Sequence, residues 1–91
     1  MEIKTIEKYL ADKGVPYSMN GFPYLVQAIK TTFDQKGCVK MMSVINAIAK
    51  KENFSSSSVE RCMRTAIRKT GIHTTVKEFV VRAYYEIKNE A

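Results

Sequence analysis

The sequence predicts an all-α fold, a compact bundle of about five helices around one core. Apolar residues recur at spacings of three and four residues in five separate segments of the chain. No segment alternates apolar and polar residues for long, so we expect no β-sheet. Apolar residues make up 45% of the 91 residues, which suits a single globular domain spanning residues 1–91.

Residues that typically begin or end helices separate the five segments. In chain order, the breaks fall at Gly14–Pro16, Asn20–Pro23, Gly37, residues 51–56, Thr70–Gly71 and Thr74–Thr75. Between these breaks, the residues expected to face the core are Ile3, Ile6, Leu10, Leu25, Ala28, Ile29, Phe33, Met41, Met42, Ile45, Ile48, Ala49, Val59, Cys62, Met63, Ala66, Ile67, Val76, Phe79, Val80, Ala83, Tyr84 and Ile87. The last segment opens with Thr75 and Glu78 at capping-box spacing, so each side chain can satisfy a free backbone N–H.

The sequence disfavours several functional classes. No stretch approaches the roughly 18 apolar residues of a membrane span, and the charged N-terminus lacks a signal peptide's apolar run, so we expect a cytoplasmic protein. Cys38 and Cys62 match no metal-binding or redox motif, and His73 is the sole histidine. We therefore expect two reduced, mostly buried thiols, no metal and no cofactor. No paired carboxylates, Cys–His arrangement or glycine-rich phosphate loop indicates an enzyme.

The positive charge is concentrated in the middle of the chain. The net charge is +6, but residues 36–77 alone carry nine basic and two acidic residues, a net of +7. The remaining residues carry six basic and seven acidic ones, a net of −1. Such a concentration is typical of a surface that binds a polyanion such as nucleic acid, although a solvated basic face is the simpler alternative.

Residues 56–70, wound as a helix, have one apolar face and one face of side chains that form directional hydrogen bonds. The outward positions are Ser57, Ser58, Glu60, Arg61, Arg64, Thr65 and Arg68. An arginine fork can bind two acceptors on guanine, and a glutamate can accept from the amino group of cytosine. We therefore predict a recognition helix from Ser56 to about Lys69, whose outward side chains read base pairs in the major groove.

The preceding segment completes the spacing of a helix-turn-helix, over about residues 40–70. Ala49, Asn53 and Val59 stand at relative positions 1, 5 and 11 of that motif. A small residue lets two helices cross closely, asparagine tolerates the positive φ of a tight turn, and a branched apolar residue packs between the helices. Two further apolar residues are expected to join this packing, Phe54 and Cys62.

Residues beside the recognition helix are expected to bind the phosphate backbone. They are Lys50, Lys51, Ser55, Ser56 and Lys69. Lysines neutralise phosphates, and serines at the start of a helix can cap it while leaving hydroxyls for phosphate. The alternative is that residues 55–58 only cap the helix and solubilise the turn.

Several short stretches together resemble a known family. They are Gly14-Val15-Pro16, Gly21, Tyr24-Leu25, Ala28-Ile29, Ile48–Lys51, Asn53, Val59–Arg61, Arg64, Ala66-Ile67 and Thr75–Phe79. In this order, over nearly the whole chain, they resemble the C-terminal DNA-binding domain of the sporulation initiation response regulator of endospore-forming bacteria. The resemblance implies an all-helical, nucleoid-associated protein that binds double-stranded DNA and regulates transcription. It also implies that Glu60, Arg61 and Arg64 occupy base-contacting positions.

The chain departs from that family at a few places. Thr65 stands where the family tends to carry a histidine, and Ser58 stands where it usually carries an arginine, so the target sequence is not carried over. The connection from Arg68 to Thr74 is shorter than the family's, which has an additional helix there. Nothing in this sequence resembles the family's phosphoacceptor receiver domain. The chain is therefore expected to be either a fragment or a stand-alone protein.

The resemblance suggests two further partners, a second copy of the chain on tandem sites and RNA polymerase. A different function also fits the residues. A helical protein-interaction module could use the same basic face to bind an acidic partner or another regulator. These two hypotheses differ in whether duplex DNA competes for the face.

Overall fold

The computed structural model describes residues 2–90, and this part of the chain forms five α-helices. They are α1 (Ile3–Lys13), α2 (Gly21–Asp34), α3 (Met41–Glu52), α4 (Ser56–Arg68) and α5 (Val76–Glu90). The predicted all-α class and number of helices are confirmed. None of these helices is long and apolar enough to cross a membrane.

The core is formed by the apolar stripe of each helix, as the spacing predicted. The central element is α2, which packs against all four other helices and is buried around most of its circumference. Its neighbours each contribute one stripe, for example Ile6 and Leu10 from α1 and Phe79 and Val80 from α5. Burying a set of large apolar side chains on several helices is the main source of stability in a domain of this size.

A few residues predicted to be in the interior are exposed. Ile3 is 46% exposed and Met42 is 55% exposed, because each lies at the edge of its helix's apolar stripe. The expectation of two mostly buried thiols is wrong for Cys38, which is exposed in the loop before α3, while Cys62 is half-buried. Both cysteines are free thiols.

The helix ends follow local capping chemistry. Gly14 ends α1 with φ at 101°, a left-handed conformation in which its N–H donates to carbonyls of the last turn. At the start of α5, the Thr75 hydroxyl accepts from the Glu78 N–H at 3.1 Å, which confirms one half of the predicted capping box. The Glu78 carboxylate instead accepts from the hydroxyls of Thr74 and Thr75, at 3.3 and 3.2 Å.

Gly21, the first residue of α2, lies against the backbone of α4. A Cβ atom added at Gly21 would lie 2.2 Å from the Cys62 carbonyl oxygen and 2.9 Å from the Ala66 Cβ. These distances are far below van der Waals contact, and the nearest atom belongs to the backbone, so it cannot move aside cheaply. Only glycine allows this approach of α2 to α4.

A polar cluster joins the two ends of the chain where α1 packs against α5. The Tyr9 hydroxyl donates to the Glu86 carboxylate at 2.5 Å, and Lys13 and Arg82 lie 3.4 and 3.5 Å from the same carboxylate. The hydrogen bond from Tyr9 is the main cause that lowers the pKa of Glu86, with Lys13 adding to it. Burial and the Glu86 charge raise the pKa of Tyr9.

Replacing Gly21 with alanine tests the contact between α2 and α4. Helix propensity alone predicts that Gly21→Ala stabilises the protein by up to about 1 kcal/mol. The steric contact predicts the opposite, a loss of about 1–3 kcal/mol measured by urea unfolding. Asn20→Ala, at the exposed neighbouring position, is the control and should change stability little. A Gly21→Ala protein as stable as the wild type would contradict the contact.

Replacing Tyr9 with phenylalanine tests the polar cluster. The variant should lose about 1 kcal/mol near neutral pH, because one hydrogen bond to a carboxylate is removed. Since the pKa of Glu86 is lowered in the fold, its contribution is present above the unfolded pKa of about 4.3 and is lost as the pH falls below it. The wild type should therefore lose more stability between about pH 7 and pH 3 than Tyr9→Phe does.

Urea midpoints at the two pH values provide the measurement. Tyr85→Phe is the matched control, because Tyr85 is an exposed tyrosine of α5. Equal acid sensitivity of the wild type and Tyr9→Phe would show that the hydrogen bond does not control Glu86.

Candidate nucleic-acid interface

Helices α3 and α4 form a compact two-helix unit joined by the three residues 53–55. Asn53 ends α3 in the left-handed conformation, with φ at 61°, as its predicted turn position requires. The next N–H, of Phe54, donates to the Ala49 carbonyl at 2.9 Å, the pattern of a Schellman cap. Ala49 is 4% exposed and Val59 is fully buried, so the crossing has the predicted small and branched residues inside. This geometry agrees with a helix-turn-helix.

The prediction that Phe54 joins this interior packing is wrong. Its side chain is 59% exposed, whereas Ala49 and Val59 are buried. Phe54 instead borders a surface pocket that is also lined by Tyr24, Val59 and Cys62.

Serines at the start of α4 have different roles. Ser55 is the N-cap, and its hydroxyl accepts from the Ser58 N–H at 3.1 Å and donates to the Ser58 hydroxyl at 2.9 Å. The Ser56 hydroxyl donates to the Asn46 side-chain oxygen and so ties α4 to the middle of α3. Ser57 is exposed, between Ser56 and Ser58 in the sequence. The serine run is therefore a cap and an anchor that also leaves hydroxyl oxygens at the surface.

The two faces of α4 differ as predicted. On the inner face, Val59, Met63 and Ala66 are fully buried and Ile67 is 2% exposed. Most of the predicted base-reading residues lie exposed on the outer face, namely Ser57, Ser58, Arg61, Arg64, Thr65 and Arg68. Glu60 is half-buried among them. Because the apolar face is fixed in the core, the arginine face can only point outward.

Glu60 and Arg64 form an ion pair along the outer face. Arg64 donates through its guanidinium to the Glu60 carboxylate, one helical turn earlier, and its side chain remains 51% exposed. Pairs of this kind on a helix surface contribute only about 0.3–0.5 kcal/mol, so the pair can open at little cost when Arg64 meets another acceptor. The pair holds Arg64 along the helix in the free protein.

The predicted phosphate-binding residues do not form one cluster. Lys50 and Lys51 are exposed in the last turn of α3, next to Ser55 and Ser56 at the start of α4. Lys69 is exposed at the other end of α4, about 20 Å away along the helix axis. Its backbone oxygen lies near Gly14, at the end of α1. The lysines therefore flank α4 at both ends.

The sequence interpretation missed two residues of this surface, Met42 and Asn46. Both are exposed on α3 and approach the outer face of α4, where Met42 shares a depression with Arg61 and Arg64. At about 100° per residue, Met42 lies at the edge of the stripe formed by the buried residues of α3. This edge position was the sequence feature that could have indicated that Met42 is exposed.

The two-helix unit, with its basic face turned outward, belongs to an all-α domain whose geometry agrees with a helix-turn-helix. The family model "Sporulation initiation factor Spo0A C terminal" matches residues 6–90, so the chain belongs to this family. The predicted resemblance is thereby confirmed, and the family is one of regulatory DNA-binding domains. No curated protein and no solved structure matched the chain.

Replacing Ser55 with alanine tests the cap at the start of α4. Ser55→Ala should lower the free energy of unfolding by about 1 kcal/mol, because the Ser58 N–H loses its acceptor. Ser57→Ala is the matched control from the same run, since Ser57 is exposed and is not the cap. Thermal or urea unfolding measures both. Equal effects of the two substitutions would contradict the assigned cap.

Proposed function

We propose that the chain binds double-stranded DNA sequence-specifically through α3 and α4, as a helix-turn-helix, and acts as a transcription regulator related to sporulation initiation regulators. The observation that carries this proposal is the outer face of α4, on which Arg61 and Arg64 are exposed and face away from the core. Family membership supports the same function. The proposed location is the bacterial cytoplasm, at the nucleoid.

In this function, α4 enters the major groove with its N-terminus first. An α-helix with its side chains is about 10–12 Å in diameter, which fits a major groove about 12 Å wide. Arg61 and Arg64 bind guanine edges through their paired donors. Glu60 accepts from a cytosine amino group or keeps Arg64 in position through the ion pair. Ser57, Ser58, Thr65 and Arg68 make flanking base contacts.

Contacts to the phosphates come from both ends of α4. Lys50 and Lys51 neutralise the backbone beside the N-terminal end, where Ser55 and Ser56 add hydroxyl contacts. Lys69 does so at the other end of the helix. Each phosphate neutralised releases counterions, so affinity falls steeply as the salt concentration rises.

Two further partners are part of the proposal. A second copy of the chain would bind a neighbouring tandem site, and RNA polymerase would be contacted from the DNA-bound state. Both rest on family membership. The short segment of residues 69–75 between α4 and α5 is the place where any pairing would differ from that of longer relatives.

Arg64→Ala and Lys51→Ala separate base reading from phosphate binding. Both residues are exposed and basic, so each substitution removes one charge. Arg64→Ala should cost about 1–3 kcal/mol on duplexes selected from a random pool and far less on random duplexes. Lys51→Ala should weaken binding to selected and random duplexes alike. It should also reduce the slope of affinity against salt concentration by the amount expected for about one lost phosphate contact.

Binding titrations at several salt concentrations provide the measurement. Equal losses for Arg64→Ala on selected and random duplexes would argue against direct reading of bases. An acidic protein that stays bound to the basic face in the presence of excess duplex would favour the protein-interaction alternative.

A further inference from the structure

Met42 is an apolar side chain exposed on the outer surface of the two-helix unit. It is 55% exposed, whereas the neighbouring Met41 is 7% exposed and Ile45 is 1% exposed. The stripe that anchors α3 in the core is therefore complete without Met42. A single exposed apolar side chain is common on protein surfaces, so exposure alone assigns Met42 no role and its position on the surface decides.

Met42 lies against the part of α4 that is proposed to read bases. A depression of about 260 Å³ is lined by Met42, Ser56, Ser57, Glu60, Arg61 and Arg64. A second depression, of about 440 Å³, is bounded by Met42, Glu60 and Arg64 together with the start of α5. Met42 thus forms an apolar side of a surface whose other side carries the arginines.

Base-pair edges in the major groove offer one apolar group to a side chain of this kind. Hydrogen-bond donors and acceptors line most of each edge, and the C5 methyl of thymine is the exception. Arginine forks read guanine through its O6 and N7 acceptors, whereas apolar side chains contact the thymine methyl group. A methionine side chain is long, flexible and polarisable. From α3, Met42 can therefore reach a methyl group on a base that lies beside α4.

We propose that Met42 is a specificity-determining residue that contacts the 5-methyl group of a thymine next to a base pair read by Arg61 or Arg64. This inference rests on the proposed function, because it requires α4 to lie in the major groove. It adds to that function a residue of α3 and a preference for thymine.

The test replaces thymine by deoxyuridine, which removes the methyl group and leaves base pairing unchanged. Duplexes selected by the wild-type chain from a random pool are substituted at one thymine at a time. Wild-type affinity should fall about fourfold at one position, the effect of losing one buried methyl group. Met42→Ala should bind the thymine and deoxyuridine duplexes equally at that position. Met42→Leu should restore part of the discrimination, because leucine is also apolar.

Ile3→Ala is the matched control, since Ile3 is an exposed apolar residue of α1, 46% exposed. It should keep the wild-type deoxyuridine profile. Thermal unfolding of each variant separates binding effects from folding effects.

Three results would overturn the inference. They are a wild type insensitive to every substitution, a Met42→Ala profile identical to that of the wild type, and selected sites without thymine. In all three cases the proposed function would stand if Arg64→Ala still lost its preference for selected sites. A wild type that selects no sequence at all would overturn the proposed function itself, and the inference with it.

Discussion

Gly21, at the start of α2, lies so close to the backbone of α4 that no side chain fits between the two helices. The contact matters because α2 is the central helix and packs against the other four. It fixes the distance of α4 from the core, while Val59 and Met63, both fully buried, fix its rotation. With distance and rotation set, the arginine face of α4 has one orientation, away from the core. The proposed binding surface is thus a consequence of core packing.

Short-range contacts at the junction of α3 and α4 hold that surface in place. Asn53 turns the chain, Ser55 caps the new helix, and Ser56 holds α4 to α3 through Asn46. These contacts make the two helices one rigid unit, which is what reading base edges demands. On this unit an ion pair keeps Arg64 along the helix without burying it. The unit thus combines a fixed backbone with exposed side chains.

Local patterns in the sequence were sufficient to predict the helices, the turn at Asn53 and the inner face of α4. Each depends on interactions within a few residues, such as caps and the 3.6-residue period. The sequence could not reveal the role of Gly21 or the pairing of Tyr9 with Glu86, 77 residues apart, because these depend on how helices meet. Met42 was misplaced for the same reason. Whether a residue at the edge of a stripe is buried is decided by neighbouring helices, which periodicity does not describe.

DNA binding through α4 is tested most directly by an NMR titration of the isotope-labelled chain with a duplex selected from a random pool. Insertion of α4 into the major groove predicts that the largest shifts fall on the backbone amides of Ser56 to Arg64 and on the side-chain Nε–H groups of Arg61 and Arg64. Amides of α1, and those of α5 around Glu86, should change little, because they lie away from the outer face of α4. Shifts concentrated on α1 and α5, with the amides of α4 unchanged, would contradict the central claim.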